Sequence, residues 1–211
     1  MVHNPLRSRA QRKTSAMLTR VGWEPPQTWP VPRPDGAPLV FQTRLPAAEF
    51  VAADELPARR RRDALASVGG AIVPLEEAQR AEHVFLAAAI CSTEADHGVL
   101  ATMTAALAPK PLPFTARDGA MTGRRGRKKV KGMAARVTVI ERQEGDGAGA
   151  GGAGPLVVQY AIRHRHGTLT LTFVTHGPGL AGNARRLFQN IVRGCHLGTA
   201  PLAAQDVAAQ R

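Results

Sequence analysis

Toward the C-terminal end of the chain, apolar residues recur at every second position in two neighbouring stretches. In Leu156 to His164, Val158, Tyr160 and Ile162 alternate with Val157, Gln159, Ala161 and Arg163; in Thr168 to Thr175, Leu169, Leu171 and Phe173 alternate with threonines. Period two is the signature of β-strands. Pairing Ile162 with Leu169, Tyr160 with Leu171 and Val158 with Phe173 keeps one register and places all six apolar residues on one face. That register admits a two-residue loop, Arg165-His166, or a four-residue loop, His164 to Gly167. Arg and His suit the positive φ of the favoured short turns poorly, so the longer loop is expected, with Gly167 available for a left-handed position.

After Pro178-Gly179 the period changes. Ala184, Leu187, Phe188, Ile191, Val192 and Cys195 fall at spacings of three, four, seven, eight and eleven, one face of a helix, with Asn183 as N-cap and Gly198 as stop. Neither the hairpin nor the helix is stable alone, so each supplies cover for the other. Upstream, Leu39, Phe41, Thr43 and Leu45 share one side of a strand that Pro46 ends. A helix is expected over Ala58 to Val68, with Pro57 leading into it and Gly69-Gly70 closing it. His83 to Cys91 and Val99 to Leu107 read as two strands joined by a polar loop holding Glu94, Asp96 and His97, with an Ala-rich helical hairpin as the competing reading. Val137-Thr138-Val139-Ile140 marks a further strand within Met133 to Arg142.

These elements make a single α+β domain over 39–198, an antiparallel sheet with flanking helices that ends in the hairpin and the amphipathic helix. A basic, Pro-rich flexible arm (1–38) precedes it, with six prolines between Trp23 and Pro38. Gly145 to Gly154 is expected as a flexible loop, and 199–211 as a tail. The run Leu169-Thr170-Leu171-Thr172-Phe173-Val174-Thr175, a short Gly/Pro turn, then Leu187-Phe188-Gln189-Asn190-Ile191-Val192 resembles the end of PsbP-like α/β/α sandwich proteins, including actinobacterial LpqN-type members. The resemblance spans about forty of the 211 residues. It implies an antiparallel sheet flanked by helices and an accessory or binding role without a catalytic centre, and it assigns no functional residue.

The apolar runs stop well short of the roughly 18 residues of a membrane span. Two cysteines, Cys91 and Cys195, are too few for a disulfide framework and fit a reducing cytoplasm. The basic start of the chain lacks the apolar stretch of a secretory signal. A formal net charge of +12 draws anionic partners without choosing among them. Arg far outnumbers Lys and Ala, Gly and Pro are abundant, as a GC-rich genome favours. That bias does not explain why three of the five lysines fall in Arg124 to Lys131.

That run, Arg124, Arg125, Arg127, Lys128, Lys129 and Lys131, is therefore the candidate site for an anionic partner, read as a basic loop. Arg59 to Arg62 and Arg185, Arg186 and Arg193 are candidates to extend it. No cofactor or metal site is expected. Gly147, Gly149 and Gly152 satisfy G-x-G-x-x-G, yet Pro155 and a β-rich run follow where a helix must open. No nucleophile elbow, zinc-protease helix or phosphate loop is present. His164 and His166 read as a surface turn and His176 lies too far along the partner strand to join them, while Glu94, Asp96 and His97 on one loop are a metal or acid/base candidate. The sequence thus points to a non-catalytic binding or accessory protein that presents a basic surface to a protein or other anionic macromolecule. Sequence-independent nucleic-acid binding is the alternative, opposed by an aromatic content of 4%. A small-molecule enzyme without a familiar motif stands third.

Overall fold

The alternation in 156–175 builds the hairpin at the middle of a large sheet. In a computed structural model that describes residues 22–33, 38–46, 50–91, 99–112, 121–128, 137–144, 156–175 and 181–199, β10 (Leu156–His164) pairs antiparallel with β11 (Gly167–Thr175). The register is Val158 with Phe173, Tyr160 with Leu171 and Ile162 with Leu169, as the apolar pattern requires. The loop is the shorter of the two that this register allows. His164 and Gly167 are themselves partners, so the turn consists of Arg165 and His166 alone rather than the four residues expected. Among the described residues the one non-glycine with positive φ is His83, so neither Arg165 nor His166 is strained. The positive φ falls instead on Gly167, at 131°.

Pairing extends outward on both sides. The sheet has seven strands in the order β3 (Phe50–Ala52), β6 (Val84–Cys91), β7 (Val99–Ala108), β11, β10, β9 (Val137–Glu144), β8 (Met121–Lys128). Every pair in it is antiparallel. The stretches around Val84–Cys91 and Val99–Ala108 are thus strands and not a helical hairpin, and they pair with each other. Their near-continuous burial shows a sheet covered on both faces.

One face carries the apolar hairpin residues and the main core. Helix α3 (Ala181–Arg193) lies on it with Ala184, Leu187, Phe188, Ile191 and Val192 buried, and Phe188 stacks on Phe173 at a centroid distance of 4.4 Å. The helix is longer at its start and shorter at its end than its sequence implies. Asn183 lies inside it rather than capping it, and the chain leaves the helix at Gly194 instead of Gly198, leaving Cys195 beyond its end. Beside α3 sits a three-stranded sheet of β1 (Gln27–Pro30), β2 (Val40–Thr43) and β12 (His196–Gly198), with β2 in the middle. Leu39, Phe41, Thr43 and Leu45 are all buried, as their period-two spacing predicts. The Pro-rich lead-in supplies β1, and Trp29 packs between Phe41 and Phe50 at 5.9 and 6.5 Å.

The opposite face is covered over β6, β7 and β11 by a small unit that differs from the expected helix. Helix α1 covers only Ala58–Asp63 and buries none of its side chains. Leu65–Val68 is then strand β4, which turns back through Gly69 and Gly70, φ 57° and 86°, into β5 (Ala71–Pro74). Two consecutive positive φ values make a tight hairpin turn of the kind that Gly-Gly serves as well as it serves a helix end. Helix α2 (Leu75–Arg80) completes the unit, with Leu75 and Ala78 packed in a second core with Ala87, Ala89 and Cys91. The result is an α+β domain in which the hairpin's threonine face is buried as well as its apolar face. Thr168, Thr170, Thr172 and Gln159 are each less than 5% exposed.

Candidate anion-binding surfaces

The basic run sits at the far edge of the sheet. Over Met121–Lys128 it is strand β8, paired on its inner side with β9, and not a loop; Lys129 and Lys131 lie outside the described residues. The β-branched cluster in β9 gives it a partner, and Arg and Lys on an outer strand discourage uncontrolled edge-to-edge pairing. A strand also divides the run. Arg125 and Arg127 occupy register rows that continue through Ile140 and Thr138 to Gln159 and Ala161. Arg124 and Lys128 occupy the rows of Glu141 and Val137, which continue to Val158 and Ile162 on the core face. The expected single cluster is therefore split between two faces, two described positions to each.

The arginines thought to extend the site do not gather around it. Arg59 to Arg62 form α1, in the unit over β6, and β8 lies five strands from β6 in the sheet order. At about 4.8 Å per strand that is roughly 24 Å, more than twice the screening length at physiological salt. Arg59 and Asp63 approach to 4.0 Å one helical turn apart, both largely exposed. Arg185, Arg186 and Arg193 belong to α3 on the other face of the sheet, where Arg193 donates to Asn190 Oδ1 at 3.2 Å.

A third basic cluster forms where the β10–β11 turn meets the small sheet. Arg33 Nη1 lies 3.0 Å from His166 Nδ1, and Arg165 Nε donates to His166 Nε2 at 3.0 Å. The backbone N–H of His166 donates to His164 Nδ1 at 3.4 Å, and the two rings lie 5.2 Å apart. Burial pushes the His164 pKa below its ordinary value, and the charges of His166, Arg165 and His196 push it the same way. The placement of His166 in the turn is legible in the sequence, whereas His164 ends β10 beside it, and their meeting with Arg33 and His196 is not legible. It depends on β1 and β12 flanking β2, and Arg33 is 133 residues from His166.

The other candidates do not assemble. Glu94, Asp96, His97 and His176 lie outside the described residues, as does the Gly-rich run 145–154. Among the described residues, no three His, Cys, Asp or Glu side chains converge as a metal site, and no helix is long and apolar enough to cross a membrane. Cys195 is held in a polar corner at the end of α3. Its thiol donates to the Ile191 carbonyl at 3.2 Å and contacts Thr43 Oγ1 at 3.4 Å, while Thr43 donates to the same carbonyl at 3.1 Å. Burial pushes this thiol up to about 12, against a smaller opposing effect of the Thr43 hydrogen bond. A thiol so protonated is a capping group and a poor nucleophile.

Fold and surfaces together describe an α+β protein with an antiparallel sheet core and separate basic surfaces. No family model, curated protein or solved structure matches the chain.

Proposed function

We propose that this is a non-catalytic binding or accessory protein whose basic edge strand receives an extended acidic segment of a partner protein. The observation that supports it is the position of the cationic run on β8, the outermost strand of the seven-stranded sheet. An outer strand offers backbone donors and acceptors to an incoming strand, and the cationic positions Arg124, Arg125, Arg127 and Lys128 along it favour acidic side chains on that strand. A protein partner is preferred to nucleic acid because the described aromatic residues are committed elsewhere. Phe41, Tyr160, Phe173 and Phe188 are buried, and Trp23, Trp29, Phe50 and Phe85 pack against the same core, so they offer no platform for stacking bases. An accessory role is also what the resemblance to PsbP-like proteins implies.

The test is a fluorescence-polarisation titration with a labelled Asp/Glu-rich peptide, the same peptide N-methylated at alternate backbone nitrogens, and single-stranded and duplex oligonucleotides, at two salt concentrations. The unmodified peptide should bind at low salt. N-methylation should cost tenfold or more, about 1.4 kcal/mol, the order of one or two hydrogen bonds. Replacing Arg124, Arg125, Arg127 and Lys128 by Gln should weaken binding further. Equal affinity for both peptides refutes strand pairing, and tighter binding of the oligonucleotides transfers the surface to nucleic acid.

A further inference from the structure

The cluster at the β10–β11 turn combines features that a solvated basic patch lacks. Its five members come from three separated segments: Arg33 after β1, His164 to His166 at the turn, and His196 at the start of β12. Among the described residues, the charged neighbours that lower the His164 pKa are basic: His166 and Arg165 from the turn itself and His196 from β12, with Arg33 reaching the same turn through His166. The geometry around His166 is also incompatible with its neighbours as donors. Both ring nitrogens lie 3.0 Å from guanidinium nitrogens, which only donate, whereas a neutral imidazole has a single lone pair to accept with. One of the two contacts therefore sets donor against donor, and protonating the ring makes both of them so. A shared acceptor with several oxygens relieves that conflict, since each guanidinium and ring N–H can then turn toward an oxygen.

We infer that the β10–β11 turn is a proton-regulated binding site for a small divalent oxyanion, a phosphate group either free or as a monoester, held by Arg33 and Arg165 with His164, His166 and His196 as further ring N–H donors. Burial lowers the His164 pKa most and the neighbouring positive charges lower it further; a bound dianion offsets those charges, so binding favours protonation and takes up protons from solution. By linkage, affinity then rises as pH falls. One histidine whose pKa rises by about one unit on binding accounts for up to a tenfold change in affinity. The site is independent of the β8 surface, and either reading can fail without the other.

Sulfate is the discriminating probe because, unlike phosphate, it does not titrate between pH 5.5 and 8. Calorimetric titration at constant ionic strength should show saturable sulfate binding at pH 5.5, about tenfold weaker at pH 8, with proton uptake revealed by buffers of different ionisation enthalpy. Histidine ring NMR should place the ion at His164, His166 and His196. Arg33→Gln with Arg165→Gln should abolish the binding while leaving the urea midpoint at pH 8 unchanged. Inorganic phosphate against glycerol phosphate then identifies the source, the tighter of the two being the form the site is shaped for. Non-saturating shifts spread over many residues would mean an adventitious ion only and overturn the site. Undiminished binding in the double variant would overturn the assignment to these arginines, and equal affinity at both pH values the proton linkage.

Discussion

Gly167 is the position where one methyl group should do the most harm. Its φ of 131° lies in the region that side chains avoid, and a Cβ built there would sit 2.7 Å from the carbonyl oxygen of Ala108 and 3.2 Å from its carbonyl carbon. Neither neighbour is a flexible side chain that can swing away. Both belong to the backbone of β7, which pairs with β11 through Thr168 and Ala108. Two costs therefore add in Gly167→Ala: backbone strain of roughly 1–3 kcal/mol and displacement of packed backbone of roughly 1–3 kcal/mol. The sum, about 2–6 kcal/mol, opposes the stabilisation of about 0.4–1 kcal/mol that Gly→Ala gives where the native φ suits alanine. Urea unfolding followed by far-UV circular dichroism should show a lower midpoint with an unchanged slope. Gly69→Asn is the matching control. Gly69 has φ 57°, a left-handed value that Asn tolerates, and nothing within 4 Å of its would-be Cβ, so its stability should stay within about 0.5 kcal/mol of wild type. A Gly167→Ala protein as stable as wild type would refute both the turn geometry and the register that sets it against β7.

Three further outcomes follow from buried and partly buried groups. The Thr170 hydroxyl is buried and makes no hydrogen bond among the described residues, so Thr170→Val, which keeps the shape, should raise stability by about 1 kcal/mol in the same urea assay; a loss would mean the hydroxyl has a partner. With its thiol near 12 against an ordinary 9.0, Cys195 should carry about a thousandfold less thiolate at pH 8.5 in the folded than in the unfolded protein, so iodoacetamide followed by peptide mass spectrometry should mark it only after denaturation. Because the folded-state pKa of His164 is depressed below 6.5, the unfolded chain binds more protons between that value and 6.5. Its contribution to stability is complete above pH 6.5 and declines as the pH falls through the window beneath it. The melting temperature should therefore fall on acidification, His164→Gln should flatten the dependence, and sulfate should restore part of the loss.

What could be read from the chain follows from how local each signal is. Val158, Tyr160, Ile162, Leu169, Leu171 and Phe173 determine both the strands and their register, because a one-residue slip would turn every one of them to the other side of the sheet. The helical spacing of Ala184, Leu187, Phe188, Ile191 and Val192 likewise names its own buried face. Ala58 to Val68 misleads because Gly69-Gly70 is equally good as a helix end and as a hairpin turn. Packing of β4 against β7 and β11, with Thr102 donating its hydroxyl to the Leu65 carbonyl, decides for the hairpin.

The candidate sites divide the same way. By itself the sequence determined that cationic residues concentrate between Arg124 and Lys131 and that His164 and His166 lie at a turn, since composition and short-range periodicity are properties of neighbouring residues. Tertiary structure alone decided that the described part of the cationic run is an edge strand whose register positions alternate between two faces, that the threonine side of the hairpin is covered, and that Arg33 and His196 join the turn. Each of those depends on contacts between segments far apart in the chain, and no local pattern encodes which distant surface will cover a given face.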